Sequence, residues 1–168
     1  MAMQFANVWE RVSDTVGDNI ALINGDNKLS WSQLDVKAAK IATILEENGL
    51  KSDSKVGIYL HNSNEYLEAQ YGVFKIEGVP INVNYRYKEN ELIYLLDNAD
   101  AEAVFFQGCY SERIKAIKDQ LPKIKVYIQI DDGTEPLMEG AIDYESSISS
   151  SKEQKRFDRT EENIYMLY

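Results

Sequence analysis

The chain has 168 residues, with 18 lysines and arginines against 28 aspartates and glutamates, and a formal net charge of −10. This length suits one domain, since a domain of ~150 residues buries roughly two-thirds of its unfolded surface. The acidic balance, with no basic patch, argues against nucleic acid or an anionic membrane as a partner. No apolar run approaches the ~20 residues of a transmembrane segment. Cys109 is the single cysteine, which suits a reducing, cytoplasmic compartment.

A lead helix and a small hairpin are predicted first. The helix is Phe5–Val16, and the hairpin strands are Ile20–Ile23 and Lys28–Trp31, joined by the turn residues Asn24–Asn27. An apolar stripe at helical spacing should dock the helix on the body of the protein. Its members are Phe5, Val8, Trp9, Val12 and Val16.

The hairpin leads into a second helix. Ser30-x-x-Gln33 has the spacing of a capping box, and Gly49 is expected to end the helix. Its predicted buried face consists of Leu34, Ala38, Ile41, Ala42 and Leu45. The small alanine side chains would allow this helix to approach a sheet closely.

The central part of the chain reads as strand, helix, strand. Lys55–Leu60 and Val79–Val83 alternate apolar residues. The helix between them is expected to be capped by Asn62 or Ser63, with Asn62-x-x-Glu65 at capping-box spacing, and to end at Gly78. Because the connection is too long for a hairpin, the two strands should be parallel neighbours with a right-handed crossover.

Helices and strands continue to alternate after this unit. Glu89–Asn98 is a predicted helix and Ala101–Phe106 a strand. A further helix should be capped by Ser111 and ended by Pro122, before the strand Ile124–Ile130. The pattern predicts an α/β domain with a mostly parallel sheet and flanking helices.

The last part of the chain differs in composition. Thr134–Arg159 is polar and serine-rich, and a long surface connection with a short helix near Tyr144–Ser149 is expected. Asn163–Tyr168 has strand propensity, and its apolar ending suggests a chain cut inside or just after a strand. The single domain therefore divides into residues 1–31, 32–130, 131–160 and 161–168.

Polar residues follow the predicted parallel strands, where open α/β sheets bind ligands. The candidates for a pocket wall are His61, Asn82, Asn84, Tyr85 and Arg86. For each of them the alternative is a structural role in holding its loop, and that role is favoured. Catalytic, cofactor-binding and metal-binding residues are not predicted, because the chain has one His, one Cys and no glycine-rich phosphate loop.

Several stretches, in order, resemble the N-terminal portion of acyl-CoA synthetases in the adenylate-forming superfamily. They are Leu29–Leu34, Ser54–Tyr66, Phe74–Asn84, Asn84–Tyr87 and Asp97–Asp100. The pattern is similar to the enzymes of fatty-acid and steroid side-chain catabolism. Ser54 stands where this family usually has Asp, and Glu77 stands at a position of small residues.

The resemblance implies a parent enzyme that joins a carboxylic acid to CoA. ATP·Mg²⁺ and the acid would give an acyl-adenylate, which the CoA thiol would then attack. In this family Asn163–Tyr168 would lead into the phosphate-binding loop, and the chain stops one residue short of it. The fragment alone is therefore expected to be inactive and to hold none of ATP, Mg²⁺ or CoA.

The expected partners are the remainder of the parent chain and a long-chain fatty acid or similar bulky lipid acid. Surface normally covered by the remainder should also promote self-association into a homo-oligomer. Two alternatives remain open: a stand-alone α/β binding or assembly module, and an unrelated doubly wound domain of flavodoxin type that binds a nucleotide or flavin.

Overall fold

The structure is a computed structural model that describes residues 4–159. Its helices are α1 (Phe5–Val16), α2 (Trp31–Glu47), α3 (Asn64–Lys75), α4 (Glu89–Asn98), α5 (Ser111–Ile117) and α6 (Tyr144–Ser150). Its strands are β1 (Ile20–Asn24), β2 (Asn27–Ser30), β3 (Lys55–Tyr59), β4 (Val79–Asn82), β5 (Ala101–Gln107), β6 (Val126–Ile130) and β7 (Ala141–Asp143). Short 3-10 helices, Gly108–Tyr110 and Lys118–Gln120, flank α5.

Five strands form one parallel sheet in the order β4-β3-β5-β6-β7. The predicted α/β class is confirmed, and β3 and β4 are parallel neighbours joined through α3, as the strand–helix–strand pattern indicated. β1 and β2 pair antiparallel as the predicted hairpin.

The sheet carries a hydrophobic core on each face, because side chains alternate along a strand. Val56 and Ile58 of β3 lie in the core shared with α2, α3 and α6, whereas Tyr59 lies in the core shared with α4 and α5. Phe105 and Phe106 of β5 divide between the two cores in the same way. α1 and the hairpin pack on α2 and α3 through a third cluster. The domain therefore has three main layers plus an outer module.

The α2–α3 contact depends on Gly72. A Cβ atom at this position would lie 2.3 Å from Ile41 Cγ2, closer than van der Waals contact allows. The predicted buried face of α2 is confirmed, and Ala38 lies fully buried against this contact. Small residues on both helices thus set their separation.

The capping box predicted for α2 is present in the structure, whereas the caps predicted for α3 and α5 differ from it. The Ser30–Gln33 capping box is present, with Ser30 Oγ accepting from the Gln33 amide at 3.2 Å. For α3 the Asn62–Glu65 box is wrong, and the other candidate, Ser63, occupies the N-cap position without a side-chain cap hydrogen bond. Ser111 is not a cap either, since it is the first residue of α5 and its buried hydroxyl has no hydrogen-bond partner among residues 4–159.

The end of α3 also differs from the prediction. The left-handed residue after the helix is Glu77, with φ of 55°, rather than Gly78. The Glu77 and Gly78 amides donate to the Phe74 and Val73 carbonyls at 3.0 and 2.9 Å, which is a Schellman closure. Gly78 is instead required by space, because a Cβ there would lie 2.9 Å from Val73 Cγ1.

α1 docks on α2 and α3 as expected, and Trp9 of the predicted stripe packs on Tyr71 and Phe74 with ring centroids 4.9 and 5.9 Å apart. Its buried residues are Ala6, Glu10 and Ser13, whereas Phe5 and Val16 are 43% and 38% exposed. The buried side of α1 also carries a charge, since Glu10 binds charged groups from α3 and from the region after α6. Apolar spacing could not reveal that pairing.

The region after residue 131 is more ordered than its composition suggests. The short helix near Tyr144 is confirmed as α6, but β7, which extends the sheet, was not predicted. Tyr144 is buried and its hydroxyl donates to Glu68 of α3, which also pairs with Lys37 at 3.1 Å. The predicted strand 163–168 lies outside the described residues.

Candidate functional site

Three strands bring polar residues to one edge of the sheet. β3 is followed by His61, β4 ends at Asn82 and continues into the Asn84–Tyr87 loop, and β5 ends at Gln107. Because the strands are parallel, their carboxyl ends meet at the same edge. The positional argument made from the sequence therefore places the five candidate residues in one neighbourhood.

His61 is held by the end of β5. Its backbone amide and its Nδ1 both lie 2.8 Å from Gln107 Oε1, and its Nε2 lies 2.9 Å from the Tyr110 hydroxyl. An amide oxygen only accepts hydrogen bonds, so we assign the proton to Nδ1 and let Nε2 accept from Tyr110. These hydrogen bonds fit the structural role that the sequence analysis favours for His61.

A second set of hydrogen bonds, made by Tyr59 and Arg113, fixes the loop after β4. The Tyr59 hydroxyl donates to the Tyr87 carbonyl at 2.6 Å and accepts from Arg113 Nη1 at 2.9 Å. The Tyr59 and Tyr110 rings lie 4.1 Å apart. Burial raises the pKa of Tyr59, and burial, with Cys109 and Tyr59 nearby, raises the pKa of Tyr110 to about 12. Both phenols therefore stay neutral hydrogen-bond donors at neutral pH.

The loop itself presents stacked side chains. Asn84 Oδ1 accepts from the Arg86 amide at 3.0 Å, which closes a tight turn. The Arg86 guanidinium lies 5.2 Å from the centre of the Tyr85 ring, and that ring lies 4.9 Å from the His61 ring. We call His61, Tyr85, Arg86, Gln107 and Tyr110 the loop cluster.

A polar cleft of about 540 Å³ lies beside the loop cluster. Its lining residues are Leu60, Asn62, Tyr66, Asn82, Val83, Asn84, Tyr85, Arg86 and Tyr87. Four of the five candidate residues line this cleft, and His61 supports Tyr85 from behind. Amide, phenol and guanidinium groups in one opening can hydrogen-bond a polar ligand or stack on a planar one.

Sequence reasoning missed several members of this site. Gln107 ends a parallel strand just as Asn82 does, so the same positional argument could have found it. Tyr66 lies in the first turn of α3 and donates to Asn82 Oδ1 at 2.9 Å. Tyr59 and Arg113 gave no local signal, because their partners lie 26 or more residues away in the chain.

Cys109 lies near this edge and is an exposed residue without a disulfide. Burial, and then the neighbouring Asp132 carboxylate, raise the pKa of the Cys109 thiol to about 11. The thiol form dominates at neutral pH, which does not favour nucleophilic chemistry. Within residues 4–159 the structure contains no group of three or more His, Cys, Asp or Glu side chains placed to hold a metal ion.

Fold and site together define an open parallel α/β domain with a polar cleft at the carboxyl ends of its strands. The sequence matches the AMP-binding enzyme family over residues 8–168, and the chain belongs to that family. Among the helices of residues 4–159, none is long and apolar enough to cross a membrane.

Curated relatives match along the whole chain. It is 37% identical over 171 residues to 3-oxocholest-4-en-26-oate–CoA ligase of Rhodococcus rhodochrous. It is 36% identical over 171 residues to the medium/long-chain-fatty-acid–CoA/3-oxocholest-4-en-26-oate–CoA ligase of Mycolicibacterium smegmatis. Both matches cover 100% of this chain, which spans 31% of the length of each relative.

Solved structures share the fold at low sequence identity. An anthranilate CoA ligase in complex with anthranoyl-AMP superposes with a TM-score of 0.83 at 20% identity, over 92% of this chain and 30% of that one. A long-chain-fatty-acid-CoA ligase from Archaeoglobus fulgidus gives 0.81 at 16% identity, over 99% of this chain and 34% of that one. The architecture is therefore that of a segment of such ligases.

Proposed function

We propose that the chain is part of an ATP-dependent acid–thiol ligase that makes acyl-CoA. In this reaction a carboxylate oxygen attacks the α-phosphorus of ATP and releases pyrophosphate. The sulfur of CoA then attacks the acyl carbon of the acyl-adenylate and releases AMP. The observation that carries the proposal is the 37% identity to a CoA ligase across 100% of this chain.

A bulky lipid acid is the proposed substrate. Among the relatives, one is named for a steroid acid and the other for both medium/long-chain fatty acids and that steroid acid. Because several of the sequence motifs are similar to those of this group, a fatty or steroid acid is favoured over a small aromatic one. Solved structures of anthranilate and benzoate ligases share the fold only, at 20% and 17% identity.

The proposed contribution of this chain is scaffold and one wall of a binding site. Asn82, Asn84, Tyr85 and Arg86 would form the wall, with His61 holding Tyr85 in place. The sequence has no glycine-rich phosphate loop, and residues 4–159 hold no metal-binding cluster. We therefore propose that ATP, Mg²⁺ and CoA are bound by the remainder of a longer ligase chain.

Partners and compartment follow from the same proposal. The remainder of the ligase would be the main partner, and surface that it covers would cause the 168-residue chain alone to self-associate. The single cysteine, Cys109, suits a reducing, cytoplasmic compartment. The net charge of −10 disfavours binding to nucleic acid.

A chimera tests the proposal directly. The segment of the Rhodococcus rhodochrous ligase that this chain matches would be replaced by the chain itself. We expect the chimera to form acyl-CoA from a lipid acid, ATP and CoA, because the two segments are 37% identical in sequence over the whole of this chain. A chimera that folds cooperatively but forms no acyl-CoA with fatty or steroid acids would contradict the proposal.

The isolated 168-residue chain is the control. It should show no acid-dependent ATP–pyrophosphate exchange, because the groups that stabilise charge on the phosphates would lie elsewhere in the ligase. Exchange by the purified chain would refute the division of roles proposed here.

A further inference from the structure

Six charged side chains meet where the segment after α6 crosses α1, α2 and α3. They are Glu10 and Asp14 of α1, Asp35 of α2, Lys75 of α3, and Arg156 and Arg159. We call them the ionic cluster, and we call residues 151–159 the strap. The inference drawn from them does not depend on the proposed function.

The inner half of the ionic cluster is buried. Lys75 Nζ lies 2.7 Å from Glu10 Oε1 and 2.8 Å from Asp35 Oδ1, with the Lys75 side chain 1% exposed. Arg159 donates from Nη1 to Glu10 Oε2 at 2.9 Å and from Nε to the Lys75 carbonyl at 3.0 Å. Each of these charges has a partner, which is what removal from water requires.

The outer half is open to water. Arg156 donates to both carboxylate oxygens of Asp14 at 2.8 and 2.9 Å and to Asp35 Oδ2 at 2.8 Å. The Arg156 and Asp14 side chains are 41% and 62% exposed. A cavity of about 680 Å³ lies between α1 and the strap and gives solvent access to these pairs. Ions in solution can therefore screen the outer half but reach the inner half poorly.

The strap is attached almost entirely by polar contacts. It has no helix or strand, and Phe157, its single large apolar residue, is 42% exposed. The Gln154 amide donates to the Ala39 carbonyl of α2 at 3.0 Å. The sheet, in contrast, is held by two hydrophobic cores. The two regions should thus respond differently to salt, because screening weakens ion pairs and not apolar packing.

Removing the strap would leave the ionic cluster unbalanced. Three cations face three carboxylates when the strap is docked. Without Arg156 and Arg159, Lys75 alone would face Glu10, Asp14 and Asp35. The two arginines of the strap therefore balance the negative charge of the carboxylates on α1 and α2.

We propose that the strap is an electrostatic latch, which opens and closes as a unit while the sheet stays folded, and whose open population is set by ionic strength. Screening of the Arg156 pairs is the first step, and withdrawal of Arg159 completes the opening. The latch sets whether residues 151–159 lie against α1, α2 and α3 or are released from them.

Amide hydrogen exchange in the 168-residue chain, measured residue by residue by NMR at 0.05 M and 1 M NaCl, tests this proposal. Exchange of the Gln154 backbone amide measures opening of the strap, and exchange of the Phe105 backbone amide measures opening of β5. We expect Gln154 to lose roughly tenfold in protection at high salt, since several partly exposed ion pairs are screened together. Phe105 should lose none.

Variants separate a latch from general loosening. Arg156→Gln should expose the Gln154 amide at low salt and abolish its salt dependence. Lys123→Gln, which removes exposed pairs to Asp97 and Asp100, should leave Gln154 unchanged. Three results would each overturn the latch. The backbone amides of Gln154 and Phe105 could show equal salt dependence, or the Gln154 amide could be unprotected already at low salt. The exchange of the Gln154 amide could also be unchanged both by salt and by Arg156→Gln.

Discussion

The loop cluster and the ionic cluster gather polar groups from distant parts of the chain, but they differ in burial and charge. The loop cluster combines two tyrosines, one glutamine, one histidine and one arginine, and His61, Tyr85 and Arg86 are exposed whereas Tyr110 is buried beneath them. The ionic cluster places Lys75, Glu10 and Arg159 almost out of water and pairs each of them. The first arrangement leaves donors directed at a cleft, whereas the second joins four segments of the fold.

This contrast suggests how to separate function from structure in this chain. Buried charges are costly unless paired, so their loss should act on stability. Exposed stacked groups contribute little to stability, so their loss should act on ligand binding. The following changes test that division, from the largest expected effect to the smallest.

Lys75→Ala should have the largest effect. It leaves Glu10 and Asp35 without their central cation, and breaking a buried pair in this way costs roughly 3–5 kcal/mol. Urea unfolding of the 168-residue chain measures the loss. Lys123→Ala, at an exposed pair, is the matched control and should leave the free energy of unfolding almost unchanged. Equal effects of the two changes would remove the contrast.

The carboxylates of half-buried Asp35 and fully buried Glu68 should respond to pH in opposite directions. Burial acts to raise the pKa of Asp35, but hydrogen bonds from Lys75, Tyr71 and Arg156 bring it below the ordinary 3.8. Asp35 therefore stabilises the fold above pH 3.8, and this contribution is lost as the pH falls through its lowered value. Burial raises the pKa of Glu68 above the ordinary 4.5, although the hydrogen bonds from Tyr144 and Lys37 act to lower it. The contribution of Glu68 to stability is therefore present below pH 4.5 and is lost as the pH rises through the raised pKa.

Unfolding free energies measured from pH 3 to 7 would show both effects. Asp35→Asn should flatten the loss of stability in acid, and Glu68→Gln should flatten the loss on raising the pH above 4.5. An Asp35→Asn protein with an unchanged acid limb would show that the ionic cluster does not hold this carboxylate charged.

Glu77→Gly should stabilise the chain by about 1 kcal/mol, because a left-handed residue with a side chain costs roughly that much. Glu77 has φ of 55° at the end of α3, and the Schellman hydrogen bonds are backbone bonds that glycine keeps. Thermal unfolding measures the gain. A lower midpoint would indicate that the Glu77 side chain contributes more than its backbone conformation costs.

Tyr85→Ala and Arg86→Ala should change stability least, within about 0.5 kcal/mol, since both side chains are exposed. In the chimeric ligase each should lower kcat/KM about tenfold, the size of one lost polar or stacking contact. Steady-state kinetics with varied lipid acid would measure this. Unchanged kinetics in both variants would remove the cleft wall from the proposed site.

The sheet and most helices could be predicted because their signals are local. Alternation in β3 and β4, the Ser30–Gln33 box and the spacing of α4 each depend on neighbours within a few residues. β7 was not predicted, because a strand of three residues, Ala141–Asp143, is too short to show a hydrophobic period. The burial of Glu10 on α1 was not predicted, because its partner Lys75 lies 65 residues away in the chain.

The candidate site was predictable by position and not by chemistry. Parallel strand ends identified His61, Asn82 and the loop after β4, because topology alone places strand ends together. The groups that fix their orientation, Tyr110 and Arg113, come from the region after β5. Their roles depend on packing across the sheet edge, which no local pattern records.

The most direct test of this account compares the two clusters within one active chimera. Tyr85→Ala and Lys75→Ala would each be introduced, and kcat/KM and the thermal midpoint would be measured on the same preparations. The account predicts that Tyr85→Ala lowers kcat/KM with little change in midpoint, whereas Lys75→Ala lowers the midpoint far more. If kcat/KM fell only in proportion to the midpoint in both variants, the loop cluster would be structural and the proposed division would be wrong.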